Sequence, residues 1–284
     1  MWQAHHVAEL LRRASPGTEV ELVPTSTEGD RRTDVPLSEI GGKGVFATEV
    51  QAALLDGRAD VAVHSAKDLP AVTGAGLVLA AVPARGEARD ALVGCRLDEL
   101  PRGAVVATGS ARRRAQLAHA RPDLQFAELR GNMATRLRKA EGFDAIVVAA
   151  VAFERLGLGE HLGELLDVDR FVPQVGQGAL GVECRDDDEQ TVDIVAAIEH
   201  APSRRRVDAE RGFLAELGGD CSLPAGAHAT IGHDGRLHVR AVLAEQVGGR
   251  FVSDDAVTES ADPGAGPELG ARLAAGLRAR LEAT

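Results

Sequence analysis

Residues 61–70, with the sequence VAVHSAKDLP, end a short apolar strand in a cluster of ionisable side chains. In α/β folds, ligands bind beyond the carboxyl ends of the strands, so a strand that ends in this way predicts an active or binding site. Lys67 is informative because almost all of the 32 basic residues are arginines. His64 alone is more typical of a structural histidine, and Lys67 beside Asp68 is equally typical of a plain salt bridge.

The hydrophobic pattern of the first 200 residues predicts an α/β fold in which helices and strands alternate. An opening helix has Val7, Leu10 and Leu11 on one face, and apolar residues recur at helical spacing from residue 46 to 54. Predicted strands cover residues 20–23, 61–64, 77–82, 104–107 and 145–149. After about residue 200 the order changes to a helix at 203–217, strands at 226–231, 236–243 and 250–255, and a helix from about 267. This order predicts a small α+β domain.

The composition of the 284 residues excludes several classes of protein. A hydrophobic content of 44% suits ordinary cores in two or three domains, and no apolar run approaches the ~18–20 residues of a membrane helix. The three cysteines have no metal-like spacing, so neither a disulfide framework nor a zinc site is predicted, and the cytoplasm is the expected compartment. The formal net charge of −11 argues against general nucleic-acid binding, which needs a basic face. Any anion site must therefore be local.

A second group of residues is basic and follows the ends of three predicted strands. Residues 108–114, with the sequence TGSARRR, follow one strand and open a helix, where backbone N–H groups and arginines attract an anion. Arg130 follows the next strand with Arg136 further along, and Arg155 follows a third. This recurrence favours one ligand with several carboxylates or phosphates, held by bidentate pairs. Solvated arginines or local ion pairs are the alternative.

Cys221 lies in a glycine-rich segment, residues 218–224, that is typical of an exposed turn. An accessible thiolate can act as a nucleophile or carry a group covalently. The alternative is a small, half-buried residue without chemistry. The local sequence leaves both interpretations open.

The chain resembles the porphobilinogen deaminase family, also called the hydroxymethylbilane synthases, over essentially its whole length. The matching motifs, in order, are GGKG at 41–44, VHSAKDLP at 63–70, RDA at 89–91, TGSARR at 108–113, LRGN at 129–132, RLGL at 155–158, VGQGA at 175–179 and AER at 209–211, followed by the glycine-flanked Cys221. One such motif is weak support. The ordered set is highly specific.

The resemblance implies a transferase of tetrapyrrole biosynthesis that joins four porphobilinogen molecules head to tail and releases ammonia each time. The product would grow on a dipyrromethane cofactor attached by a thioether bond, here to Cys221. Asp68 would be the catalytic residue, because a carboxyl can help to protonate the leaving amine and then stabilise cationic intermediates. Each pyrrole carries an acetate and a propionate, which accounts for the arginines.

The resemblance also assigns binding roles, residue by residue, through the matched motifs. The cofactor-binding residues would be Cys221, Lys67, Thr108, Ser110, Arg112, Arg113, Gly131 and Arg136, and the substrate-binding residues would be Arg130 and Arg155. Gln177 is a weaker candidate for binding. Arg114 lies outside the matched pair of arginines, so we expect it to be solvated.

The family fold implies two α/β domains of periplasmic-binding-protein type and a small α+β C-terminal domain. Domain 1 would comprise residues 1–84 and 178–199, domain 2 residues 88–173, and the domain with the cofactor cysteine residues 201–284. Independently of the resemblance, the polar, glycine-containing composition of residues 25–44 suits a mobile loop or lid. The resemblance implies a monomer whose partner is the small molecule porphobilinogen, with no nucleic-acid or membrane partner.

The chain departs from the family pattern at its N-terminus. Family members begin with a strand and a motif resembling RxGTRxSxLA before the WQAH that stands here at residues 2–5. We therefore expect a misassigned start or a truncation that removes one strand of domain 1. A catalytically impaired or inactive anion-binding homologue is the corresponding alternative to an active enzyme.

Overall fold

A computed structural model describes residues 1–24, 45–218 and 223–283 of the chain. The strands of these residues form three β-sheets. The predicted lid at 25–44 and the predicted cofactor cysteine, Cys221, lie outside the described residues, so both assignments stay predictions.

The first sheet combines strands from two distant parts of the sequence. Strand β8 (Leu180–Arg185) lies between β1 (Ala62–Ser65) and β2 (Leu77–Ala81) and is antiparallel to both. Helix α1 (Trp2–Ala14) buries Val7 and Leu11 in the same core as residues of β2 and β8, which confirms the predicted amphipathic helix. Two further helices of this region are α2 (Val45–Leu55) and α6 (Glu189–Ala196).

The second sheet places three parallel strands side by side. Its strands are β3 (Asp90–Val93), β4 (Val105–Ala107), β5 (Gln125–Ala127), β6 (Ala145–Ala149) and β7 (Glu164–Leu165), in the order β5-β4-β6-β3-β7. Strand β4 is parallel to β5 and β6, whereas β3 is antiparallel to β6 and β7. Helices α3 (Ala111–Ala120), α4 (Met133–Ala140) and α5 (Val151–Leu156) follow β4, β5 and β6. The residues between these strands and helices therefore meet at one edge of the sheet.

The third sheet belongs to the C-terminal part of the chain. Strands β9 (Ala225–Ile231), β10 (Leu237–Ala244) and β11 (Phe251–Val257) form an antiparallel meander with β10 in the centre. Helices α7 (Ala201–Glu216) and α8 (Ala265–Glu282) share its core through residues such as Phe213 and Leu277. The predicted order of helix, three strands and helix is confirmed.

The α/β fold class with a C-terminal α+β unit is thus confirmed. The strand expected at residues 20–23 is wrong, because that segment pairs with no strand of the described chain and an apolar run needs a hydrogen-bonded neighbour to form a ladder. The chain leaves the first sheet after Ala81, enters the second at Asp90 and returns at Leu180, while the domain boundaries stay a prediction. Among the described helices, none has the length and apolar character to cross a membrane.

A buried carboxylate, Glu210 of α7, joins both connecting segments to the C-terminal part. Arg85 forms a bidentate ion pair with it, with N···O distances of 2.7 and 3.1 Å. The backbone N–H groups of Gly176 and Ala229 donate to the same carboxylate at 2.8 and 2.9 Å. Because Glu210 is completely buried and fully bonded, it holds these three segments in fixed relative positions.

Candidate active site

Asp68 lies in a short 3-10 turn, Ala66–Asp68, directly after β1. The turn closes because the N–H group of Leu69 donates to the Ala66 carbonyl at 3.3 Å. Ala66 and Leu69 are buried, whereas Lys67 and Asp68 are half-buried. The apolar residues anchor the turn, and the two ionisable side chains stay partly accessible.

The surroundings of this turn change the proton affinity of both side chains. Burial raises the pKa of the Asp68 carboxyl, and the charges of Lys67, His64 and Arg155 lower it by less. Burial also lowers the pKa of the Lys67 ammonium group. The Asp68 carboxyl therefore keeps its proton to a higher pH than a free aspartic acid. Such a group can protonate a leaving amine, and its conjugate base can stabilise a cation.

His64, on β1, is buried beside a second acid. Its Nε2 atom lies 3.2 Å from Oε2 of Glu183 on β8, and Gln51 Nε2 donates to the same oxygen at 2.8 Å. Glu183 is 1% exposed. These contacts join β1, β8 and α2, so His64 has a structural role close to Asp68.

Arg112 and Arg113, in the first turn of α3, share the carboxylate of Asp90. Arg112 Nη1 donates to Oδ2 at 2.7 Å, and Arg113 Nε donates to Oδ1 at 3.0 Å. Gln177 Nε2 also donates to Oδ1 at 2.9 Å, and all four side chains are buried. Burial raises the pKa of Asp90, but the charges of the two arginines outweigh burial and hold the pKa well below its usual range. Asp90 is therefore an ionised anchor that orients both guanidinium groups.

Arg112 retains donor capacity that the described protein does not use. Its Nη1 atom bonds Asp90 and the Val172 carbonyl, both at 2.7 Å, whereas its Nε and Nη2 atoms are buried without an acceptor among the described residues. A buried polar group without a partner costs about 1–3 kcal/mol. A carboxylate from a bound molecule would relieve this cost.

Ser110 and Thr108 hold the start of α3 in place. Ser110 is the N-cap residue, and its hydroxyl accepts a hydrogen bond from the N–H group of Arg113 at 3.4 Å. The Thr108 hydroxyl accepts from the Ser110 N–H group at 3.3 Å. These bonds fix the helix N-terminus, whose partial positive charge adds to that of the two arginines.

The segment after β5 adds a second pair of arginines. Gly131 has φ +113°, and a Cβ atom there would lie 2.7 Å from Thr135 Cγ2, so only glycine fits. Its carbonyl accepts a hydrogen bond from Arg136 Nε at 2.7 Å. Burial lowers the pKa of Arg136, and the charges of Arg113 and Arg130 lower it further. Three guanidinium groups thus share one region, where a bound anion would be stabilised by all three.

Arg155, at the end of α5, lies within electrostatic range of Asp68. Burial lowers the pKa of Arg155, and the charges of Glu154 and Asp68 partly compensate. Its Nη2 atom donates to the Gly178 carbonyl at 3.1 Å. The arginine that follows β6 therefore lies close to Asp68, whereas the arginines that follow β4 and β5 form the group that includes Arg113, Arg130 and Arg136.

One predicted side chain behaves differently from expectation. Arg114 was expected to be solvated, and this is wrong: its Nη2 atom donates to the Thr108 carbonyl and to Glu128 Oε1, both at 2.7 Å. Thr108 directly follows β4 and Glu128 directly follows β5. Arg114 therefore fastens α3 to the ends of these two strands. Gln177, the weaker binding candidate, is fully buried and bonds Asp90.

The sequence patterns assigned no role to Asp90, although it lies in the RDA motif at 89–91. The available signal was an acidic residue directly before the apolar run at 91–93, which the structure shows as a strand whose four residues are all buried. A carboxylate in that position needs a charged partner. The identity of the partners, Arg112 and Arg113, came from the tertiary structure.

The fold and site together are typical of one class of protein, an α/β enzyme with a carboxyl group of raised pKa and several arginines suited to carboxylates. A family model described as "Porphobilinogen deaminase, dipyromethane cofactor binding domain" matches residues 1–193, and one described as "Porphobilinogen deaminase, C-terminal domain" matches residues 204–279. The chain belongs to the porphobilinogen deaminase family, which confirms the resemblance stated above.

Curated relatives agree with the family models. The porphobilinogen deaminase of Syntrophotalea carbinolica is 45% identical over 285 residues, which cover 99% of this chain and 89% of the relative. Those of Nitratidesulfovibrio vulgaris and Brevibacillus brevis are 46% and 43% identical, with 98% of this chain covered in both and 89% and 90% of the relatives. An ancestral cationic amino acid solute-binding protein of known structure has a TM-score of 0.41 and 16% identity, over 68% of this chain and 76% of its own, which is too weak to support an inference.

Proposed function

We propose that the chain catalyses the head-to-tail condensation of four porphobilinogen molecules to hydroxymethylbilane, with release of ammonia at each condensation. Family membership supports this reaction. The structural observation that carries it is a half-buried acid of raised pKa, Asp68, in the same part of the molecule as Arg112, whose Nε and Nη2 donors are buried without an acceptor among the described residues, and as Arg113, Arg130 and Arg136. A chain of pyrroles with acetate and propionate groups would bring further carboxylates to this group.

The residues present fit a dipyrromethane cofactor. The unpaired Nε and Nη2 donors of Arg112 suit a carboxylate of the cofactor. When bound, dipyrromethane supplies the pyrrole to which substrate units are added. We assign its attachment to Cys221, its binding to Lys67, Thr108, Ser110, Arg112, Arg113, Gly131 and Arg136, and substrate binding to Arg130 and Arg155.

In the proposed mechanism, Asp68 acts in both of its protonation states. The protonated carboxyl donates its proton as the C–N bond of porphobilinogen breaks and ammonia leaves, and the resulting carboxylate stabilises the positive charge that develops on the substrate. When the new C–C bond forms, the proton released from the attacking pyrrole carbon returns to Asp68. Arg155 binds a substrate carboxylate close to Asp68, which holds the reacting carbon at the acid. Lys67 binds a carboxylate of the cofactor from the same turn.

Intact-protein mass spectrometry with and without porphobilinogen tests the proposal. The wild-type protein should exceed its sequence mass by two linked pyrrole units and gain further units when substrate is added. Cys221→Ser should lose the adduct, whereas Cys95→Ser, which removes another thiol, should keep it. Asp68→Ala should keep the adduct but stop turnover. A wild-type protein with the bare sequence mass and no consumption of porphobilinogen would overturn the proposal.

The alternative considered from the sequence, an inactive anion-binding homologue, receives no support from the family models or the names of the relatives. We further propose that the enzyme acts as a cytoplasmic monomer without a nucleic-acid partner. The two described cysteines, Cys95 and Cys184, are free thiols, and the net charge is −11. Light scattering of the purified protein measures its molar mass and so tests the monomeric state. The same measurement with added DNA tests whether a nucleic acid binds.

A further inference from the structure

The indole ring of Trp2 lies against Arg155, the proposed substrate-binding arginine. The Arg155 Cζ atom is 5.2 Å from the centre of the ring, within the roughly 6 Å over which a cation is attracted to an aromatic face. Arg155 makes one hydrogen bond to the described residues, from Nη2 to the Gly178 carbonyl at 3.1 Å, and the charges of Glu154 and Asp68 also act on it. A single hydrogen bond leaves a guanidinium group free to rotate about it, so the ring supplies the second restraint.

The indole is itself held in place by its own helix. The rings of Trp2 and His6 are stacked, with centres 4.8 Å apart and an angle of 12° between their planes. Gln3 Nε2 donates to the Ser65 hydroxyl at 2.7 Å, which ties the first turn of α1 to the residue before the Asp68 turn. The first turn of α1 therefore contacts both the turn that carries Asp68 and the side chain of Arg155. None of these contacts was anticipated from the sequence.

We propose that Trp2 is a positioning residue that holds the Arg155 guanidinium in the orientation in which it binds a carboxylate of porphobilinogen beside Asp68. This inference rests on the proposed function. The contact between Trp2 and Arg155 could be inferred neither from the sequence motifs nor from the pattern of arginines. Trp2 does not touch the reacting atoms, so its effect passes through Arg155.

The composition makes this contact directly measurable. The chain has one tryptophan and no tyrosine, so its intrinsic fluorescence, excited above the phenylalanine band, comes from Trp2 alone. Removal of the Arg155 charge should change the emission intensity or maximum of the substrate-free protein. Arg13→Ala is the matched control, because Arg13 lies on the same helix and pairs with Glu9 on the exposed surface.

The spectroscopic test compares Arg155→Met with Arg13→Ala and wild type in the absence of substrate. The proposal predicts a changed Trp2 emission in Arg155→Met and an unchanged one in Arg13→Ala. Identical spectra for all three proteins would overturn it. This result does not depend on activity, so it distinguishes failure of the contact from failure of the proposed function, which is judged by whether wild type consumes porphobilinogen.

The kinetic test uses Trp2→Leu, which removes the aromatic face, and Trp2→Phe, which keeps one. We expect Trp2→Leu to raise KM for porphobilinogen about two- to fivefold, with a smaller change in kcat, and Trp2→Phe to restore most of the loss. Trp2 is 41% exposed, so both variants should fold, and thermal unfolding checks this first. An unchanged KM in Trp2→Leu, or a loss in kcat that Trp2→Phe does not restore, would contradict a positioning role.

Discussion

Asp68 and Asp90 are two aspartates with basic neighbours, Lys67 and Arg155 at the first and Arg112 and Arg113 at the second, yet the pKa values of their carboxyl groups are shifted in opposite directions. Burial dominates at Asp68 and raises its pKa, because the nearby cations are too few or too distant to compensate. At Asp90, two guanidinium groups and the Gln177 amide bond the carboxylate directly, and the pKa is lowered. Direct bonding thus separates an acid that can exchange a proton from an acid that cannot.

The difference also separates chemistry from stability. A carboxylate bonded by two buried arginines stabilises the fold, and its charge is not available to a substrate. Asp68 lacks such partners in the described structure, so its ionised form lowers the stability of the fold. The comparison predicts that replacement of Asp68 lowers turnover, whereas replacement of Asp90 lowers the free energy of unfolding.

The largest effect should be the loss of turnover in Asp68→Asn. The amide has nearly the same shape but cannot donate a proton or stabilise a cation, so we expect kcat to fall by about 10²–10⁴-fold. The unfolding midpoint at neutral pH should be at or above that of wild type, because burial disfavours the ionised form of Asp68 and asparagine carries no charge. Steady-state consumption of porphobilinogen and thermal unfolding measure the two quantities. Asp56→Asn, at an exposed surface pair with Arg58, is the matched control, and wild-type turnover in Asp68→Asn would remove Asp68 from the mechanism.

The next largest effect should be the destabilisation of Asp90→Asn. Two buried guanidinium groups would lose their counter-ion, which costs about 3–5 kcal/mol of unfolding free energy. Urea unfolding measures this loss, with Asp169→Asn as the control because Asp169 pairs with Arg240 at an exposed site. If Asp90→Asn were as stable as Asp68→Asn, the contrast between the two aspartates would be wrong.

A smaller effect should follow from Gln177→Leu, which keeps the side-chain volume but removes the donor to Asp90. We expect a loss of about 1–3 kcal/mol in unfolding free energy, because the buried Ala88 carbonyl and the carboxylate each lose a hydrogen bond. Turnover per folded molecule should remain near that of wild type. A loss of turnover without a loss of stability would instead make Gln177 a ligand, as the motif match had suggested.

The smallest effect should be a difference in pH dependence, measured by urea unfolding between about pH 3 and pH 7. The folded-state pKa of Asp90 is lowered, so its contribution is present above the ordinary value of 3.8 and is lost as the pH falls towards the lowered pKa. The folded-state pKa of Asp68 is raised, so wild type loses stability relative to Asp68→Asn as the pH rises from 3.8 through the raised pKa. The two stability differences should therefore have opposite slopes, and equal slopes would refute the assigned shifts.

The sequence predicted those parts of the fold that depend on local pattern. The α1 helix, the strands before His64 and after residue 76, and the C-terminal order of elements all follow from apolar periodicity, which is a property of neighbouring residues. The segment at 20–23 shows the limit, since its apolar residues suit a strand and only a partner strand could have made it one. Site residues in motifs, such as Asp68 and Arg155, were also found from the sequence, and their roles stay proposals.

What the tertiary structure decided are the contacts between residues far apart in the chain. Nothing near Asp90 indicates that Arg112 and Arg113 neutralise it, and nothing near Trp2 indicates Arg155, because these pairs form only when separate elements pack together. The same holds for Arg114. The motif match led us to expect a solvated side chain, whereas in the packed structure it bonds Thr108 and Glu128. The sequence by itself determined which chemical groups stand at the strand ends. The tertiary structure determined which of them are bonded to each other, and hence which carboxyl group can still exchange a proton.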